Sequence, residues 1–102
     1  MDLILLLAAD IDIQSAFEKF DGYQEGRGEI FMYQLDACLG LLRQQPYIAP
    51  KVAGNYRRLL MKDFPLGIFY EVQPTRIVVN GVMDLRQDPQ AIKRRLFGRA
   101  ED

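Results

Sequence analysis

Residues 55–89, NYRRLLMKDFPLGIFYEVQPTRIVVNGVMDLRQDP, hold three strand-forming runs and a charged exit turn in unbroken order. The runs cover residues 55–61, 66–72 and 76–83, separated by Lys62-Asp63-Phe64-Pro65 and Gln73-Pro74-Thr75. Connections this short make consecutive strands antiparallel neighbours. In the second run Leu66, Ile68, Tyr70 and Val72 share one face, and in the third Ile77 and Val79 alternate with Val78 and Val82. Both faces are largely apolar, which predicts the central strands of a sheet covered by other elements.

Working upstream, residues 3–7 form a short apolar run that suits a buried first strand. The period then changes: Ala9, Ile13, Ala16, Phe17 and Phe20 fall on one stripe of a helix that Asp21-Gly22 is expected to end. After a loop through Gly26-Arg27-Gly28, the same spacing recurs at Phe31, Leu35, Cys38, Leu39 and Leu42, predicting a second helix that closes before Pro46. The pair makes an antiparallel hairpin lying on one face of the sheet. Residues 46–54, with two prolines and a glycine, read as a loop. Downstream, Asp88 is an N-cap and Pro89 the first helical position of a short last helix over residues 90–97, stopped by Gly98 before a polar tail. The expected architecture is α+β, a single domain over residues 1–102.

Composition narrows the chemistry. The 49% hydrophobic and 26% charged content is that of an ordinary globular domain. Net charge is -1, yet residues 1–36 hold eight acids against two bases, and the remainder eleven bases against six acids. A basic half on a nearly neutral whole favours a local anionic site or an acidic partner over wholesale wrapping of nucleic acid. A single cysteine, Cys38, leaves no intramolecular disulfide, and its place on the apolar stripe marks it as packing rather than a nucleophile. The absence of histidine rules out a Ser-His-Asp triad and the usual zinc sites, so neither metal nor other cofactor is expected. The run after Asp2 has no basic flank and is short for a secretion signal, and no apolar segment approaches a membrane span; the expected location is the cytoplasm.

The linear order of elements, with Ala9-x-x-Asp12-Ile13-x-x-Ala16, Gly26-x-Gly28-x-x-Phe31-x-x-x-Leu35, Arg57-Arg58-Leu59-Leu60, Phe64-Pro65, Ile68-Phe69-Tyr70, Arg76-Ile77-Val78-Val79 and Arg86-x-Asp88-Pro89, resembles the RelE/ParE superfamily of plasmid-stabilisation toxins, and its ParE-like members in particular. The resemblance covers nearly the whole chain. It implies a RelE/ParE-like fold and a toxin of a type II toxin-antitoxin pair, held in a hetero-oligomer with a cognate ParD-like antitoxin or existing as a homodimer. RelE-like members cleave messenger RNA on the ribosome, whereas ParE-like members inhibit DNA gyrase, so the fold alone does not choose the target.

The residues lean one way. Cleavage through the 2'-hydroxyl needs a proton acceptor, a cation for the developing phosphorane charge and an acid for the leaving oxygen. Arg57, Arg58, Lys62 and Arg86 supply cations, and they are the catalytic candidates if the chain is an endoribonuclease. Gly67, however, stands where the ribonucleases place a phosphate-binding arginine, Asp84 stands where many relatives carry histidine, and neither Tyr nor His follows Tyr70. The favoured reading is therefore gyrase inhibition by protein binding. Messenger RNA cleavage is the alternative, and a non-toxic antitoxin-binding member a further one. Expected target contacts are Arg57, Arg58, Arg86 and, from a basic cluster that also includes Arg99, Lys93, Arg94 and Arg95; expected antitoxin contacts are Tyr23, Tyr33, Tyr47, Leu96 and Phe97. Successive strand residues face opposite ways, so Arg57 and Arg58 cannot share one surface.

Overall fold

The computed structural model describes residues 1–99; of the polar tail expected after Gly98, residues 100–102 lie outside them. Among the described residues the order is β1 (Asp2–Leu5), α1 (Leu7–Tyr23), α2 (Arg27–Gln44), β2 (Lys51–Ala53), β3 (Tyr56–Leu60), β4 (Leu66–Val72), β5 (Arg76–Asp84) and α3 (Pro89–Gly98). The strands form one sheet in the order β1-β5-β4-β3-β2. The meander β3-β4-β5 is antiparallel as its short turns require, and β1 joins the far side of β5 in parallel.

The two helices lie on one face as expected. Ala9, Ile13, Ala16 and Phe20 of α1 and Phe31, Leu35, Leu39 and Leu42 of α2 are buried against Leu66, Ile68, Tyr70, Ile77 and Val79. Phe20, Phe31 and Phe64 close one end of this core, with ring centroids 4.8–5.8 Å apart. The helix boundary departs from expectation. Asp21-Gly22 does not end α1, which continues to Tyr23; the Asp21 carboxylate instead accepts the N–H groups of Gly26 (3.0 Å) and Gly28 (3.3 Å) and so caps the start of α2. Gly26 has φ +88°, a left-handed turn that favours glycine, and a Cβ on Gly28 would come within 2.8 Å of the Phe17 ring. Arg27-Gly28, expected in the loop, thus opens α2 at a close helix crossing.

Two further differences concern the sheet. Residues 46–54 are not loop throughout: Lys51 and Ala53 pair with Arg57 and Tyr56, and the Arg58 N–H bonds to the Pro50 carbonyl, which makes β2 the outer strand. In β5 the pairing jumps from Phe69↔Gly81 to Tyr70↔Val79, leaving Asn80 as the extra residue of a bulge. The bulge shifts the alternation, and Val82 joins Ile77 and Val79 in the helix-side core instead of lying with Val78.

The opposite face is covered by α3. Ile92 and Leu96 bury themselves on Phe69 and Met83, with Val52, Tyr56 and Leu85 around them. The helix starts where the sequence predicts: the Asp88 carboxylate accepts the Gln90 N–H at 3.0 Å and Pro89 occupies the first turn. Its far end is tied down by Arg99, whose guanidinium makes a two-point pair with Asp12 of α1 (2.7 and 3.1 Å) and also donates to the Asn80 carbonyl at 3.2 Å. Asp12 in turn accepts the Val82 N–H at 3.0 Å. One carboxylate thereby joins α1, the β5 bulge and the residue after α3.

Candidate functional site

The register settles the two arginines of β3. Arg57 sits opposite Tyr70, on the helix-hairpin face, and Arg58 opposite Phe69, on the α3 face. Arg57 is committed to structure: it donates to the Ala49 carbonyl at 2.7 Å, and its guanidinium carbon lies 5.1 Å from the centre of the Tyr47 ring. Arg58 has no such partner among the described residues. Its stem crosses Gly67, where an added Cβ would lie 3.0 Å from both Arg58 Cγ and Leu85 Cδ2. Its Nε is shut off from solvent, and no acceptor among the described residues reaches it.

Arg86 and Asp84 neutralise each other at the exit of β5. Arg86 Nε and Nη2 meet the two carboxylate oxygens at 3.0 and 2.6 Å, the Arg86 N–H donates to the same carboxylate, and Lys19 stands 3.6 Å away. The Arg86 hydrogen bonds hold the Asp84 carboxyl down at about 2, and Asp84 raises the Arg86 guanidinium in return. A carboxylate this acidic stays ionised at neutral pH. It cannot donate a proton to a leaving oxygen, and it occupies the Arg86 guanidinium that a phosphate would need.

The tyrosines nearest the basic strand are engaged as well. Tyr70 is fully buried, its hydroxyl donates to the Pro46 carbonyl at 2.8 Å, and burial pushes its ionisation upward. Tyr56 donates to the Leu96 carbonyl at 3.2 Å, and burial followed by the nearby Glu71 charge raises it too. Among the described residues no cluster of His, Cys, Asp and Glu is arranged to hold a metal ion.

The remaining expected contacts divide between surface and core. Lys62 is exposed in the β3–β4 turn, and Lys93, Arg94 and Arg95 are exposed along α3. Tyr23, Tyr33 and Tyr47 are exposed on three different elements, and Phe97 is exposed beside Tyr56, ring centroids 5.5 Å apart. Leu96 is a correction: at 1% exposure it packs beneath α3, because the i, i+4 pair Ile92 and Leu96 supplies the helix's inward stripe, and it offers no surface to an antitoxin. Cys38 is half-buried, and burial raises its thiol, as expected for a packing residue.

Two concavities bring the candidates together. One lies between α3 and the sheet, about 110 Å³, and joins Arg58 and Lys93 to an apolar lining. The other, about 170 Å³, lies between α1, the end of β5 and α3, and gathers Asp12, Lys19, Asp84 and Arg95. Arg57 belongs to neither and lines a separate one of about 110 Å³ with Tyr47, Lys51 and Glu71. Sequence reasoning missed Lys19 and the Asp12–Arg99 pair, whose members are 87 residues apart. The only local hint was an acid beside the apolar stripe of α1.

No family model matches the chain, and no curated protein matches it. Among solved structures, a chain of the chromosomal ParDE TA system from P. aeruginosa matches with a TM-score of 0.76 over 84% of this chain and 97% of that one, at 13% identity. The likeness is one of fold: strand, helical hairpin, sheet and short last helix correspond, so the expected ParE-like α+β architecture is the one observed.

Proposed function

We propose that this chain is a ParE-like toxin of a type II toxin-antitoxin pair, inhibiting DNA gyrase in the cytoplasm by protein contact and neutralised by a ParD-like antitoxin. The observation that carries the reading is the state of the β5 exit, where Asp84 is clamped by Arg86. Together with Gly67, whose side-chain space is taken by Arg58 and Leu85, this removes the anion-binding and acid groups that RNA cleavage requires, on a scaffold shared with a ParDE system. Arg58, Lys93, Arg94 and Arg95 then serve as cations for an acidic protein surface, with Arg86 at the edge. Tyr23, Tyr33, Tyr47 and Phe97 offer the exposed aromatic surface that an antitoxin covers.

The test is induction of the chain alone in bacteria, with growth arrest expected, followed by a supercoiling assay with purified gyrase, with loss of supercoiling expected. Arrest with unaffected supercoiling and ribosome-dependent mRNA cleavage would establish the ribonuclease alternative. Normal growth with soluble protein would refute the toxin reading, and stable co-purification with a small partner would then mark a non-toxic antitoxin-binding member.

A further inference from the structure

The cavity beneath α3 combines two features that the fold itself does not use. It is lined by apolar groups of three elements, among them Val52, Phe69, Leu85 and Ile92, and its volume is about 110 Å³. Cavities of about 150 Å³ hold a benzene ring, so this one suits a branched aliphatic side chain better than an aromatic one. Its polar wall consists of Arg58 and Lys93, and no acid among the described residues lines it. Arg58 is also the arginine whose Nε–H finds no acceptor among the described residues, an uncommon state for a donor closed off from water. Arg57 next to it, by contrast, donates to the Ala49 carbonyl and lies over the Tyr47 ring.

We infer that this cavity is a docking subsite for an acidic segment of a protein partner, one that seats an aliphatic side chain against Phe69 and Leu85 and sets a neighbouring carboxylate on Arg58. A small turn of the guanidinium brings Nε–H and one Nη onto the two carboxylate oxygens, the side-on geometry in which arginine exceeds lysine. Lys93 adds charge at the rim without a fixed geometry. The inference rests on the reading of the chain as a binder of protein partners and names the chemistry of one contact; it does not depend on gyrase being the target.

The probe is 4-methylpentanoate, a leucine-like side chain carrying a carboxylate, titrated into the isotope-labelled full chain beside the uncharged 4-methylpentanamide and acetate. Amide-resolved NMR is expected to show saturable shifts at Ala53, Phe69 and Leu96, with the acid binding at least fivefold more tightly than the amide and acetate leaving these positions unmoved. Arg58→Gln should bring the acid-to-amide ratio close to one. Ala53→Leu, which fills the cavity, should abolish both interactions while the spectrum stays dispersed. Equal binding of acid and amide to the native chain, shifts confined to Arg94 and Arg95, or an unchanged ratio in Arg58→Gln would each overturn the inference. Those outcomes are separate from growth arrest and supercoiling, which test the toxin reading.

Discussion

Removing Arg99 should release the end of α3, and the size of the effect follows from the burial of its partner. The side chains of Arg99 and Asp12 are 19% and 16% exposed, so the pair lies between a surface contact and a buried one. Exposed pairs contribute about 0–1 kcal/mol, and breaking a buried pair costs about 3–5 kcal/mol. For a two-point pair four-fifths withdrawn from water we expect about 2 kcal/mol for Arg99→Ala. Asp12→Ala should cost about 3 kcal/mol, because it also orphans the Val82 N–H. In a domain of this length Arg99→Ala then lowers Tm by about 10 °C. A double-mutant cycle read by urea unfolding should return a coupling of about 1.5 kcal/mol, and hydrogen exchange in Arg99→Ala should accelerate in α3 before the helical hairpin. Gly81→Ala should act in the same direction, since its Cβ would come within 2.5 Å of Arg99 Nη1 and 3.1 Å of Asp12 Oδ2. Additivity of the two alanine substitutions within about 0.3 kcal/mol would refute the view that this pair fastens α3.

Three other outcomes are expected. Asp84 is held at about 2 in the folded chain, below its unfolded value, so its contribution is fully present above about pH 4 and is lost as pH falls toward 2; Asp84→Asn should flatten that part of the acid-unfolding curve, as followed by urea melts across the interval. Gly67→Arg, which restores the ribonuclease-type residue, must displace the Arg58 stem and Leu85. It should cost about 2 kcal/mol in unfolding free energy without producing RNA cleavage in a ribosome assay. Reversing Lys93, Arg94 and Arg95 together to Glu should relieve growth arrest while shifting stability by no more than about 1 kcal/mol, since all three are exposed; arrest undiminished at equal expression would remove the cluster from the target surface.

Most elements were legible because their signals are local. The stripes of α1 and α2, the apolar runs of β4 and β5 and the Asp88-Pro89 start of α3 each lie within a dozen residues. What escaped depends on partners distant in sequence. β2 is three residues between Pro50 and Gly54, and only its hydrogen bonds to β3 make it a strand. Asp21 looked like a helix terminator because its side chain bonds forward to the start of the next helix, a role no period reveals. Val82 lies on the face opposite to the one its period of two predicts, since a single bulged residue, Asn80, inverts the alternation. For the site, the sequence identified which cations are present and which ribonuclease groups are missing. It did not show that Arg57 is spent on Ala49 while the Arg58 Nε–H finds no acceptor among the described residues, because that distinction arises from the strand register and from the way the Arg58 stem fills the space over Gly67.

The parallel pairing of β1 with β5 sets a timetable for synthesis. Asp2 lies opposite Arg76, so the first strand leaves the ribosome more than seventy residues before its neighbour exists. At about 5–20 residues per second that interval is roughly 4–15 s. During it the helical hairpin can form from local contacts, but residues 2–5 have no ladder to join, and the later meander emerges with one flank of β5 unsealed until they return. Closing the sheet is thus a late step that brings residues 2–5 back to residues 76–79, and the nascent polypeptide is most prone to mispairing just before it.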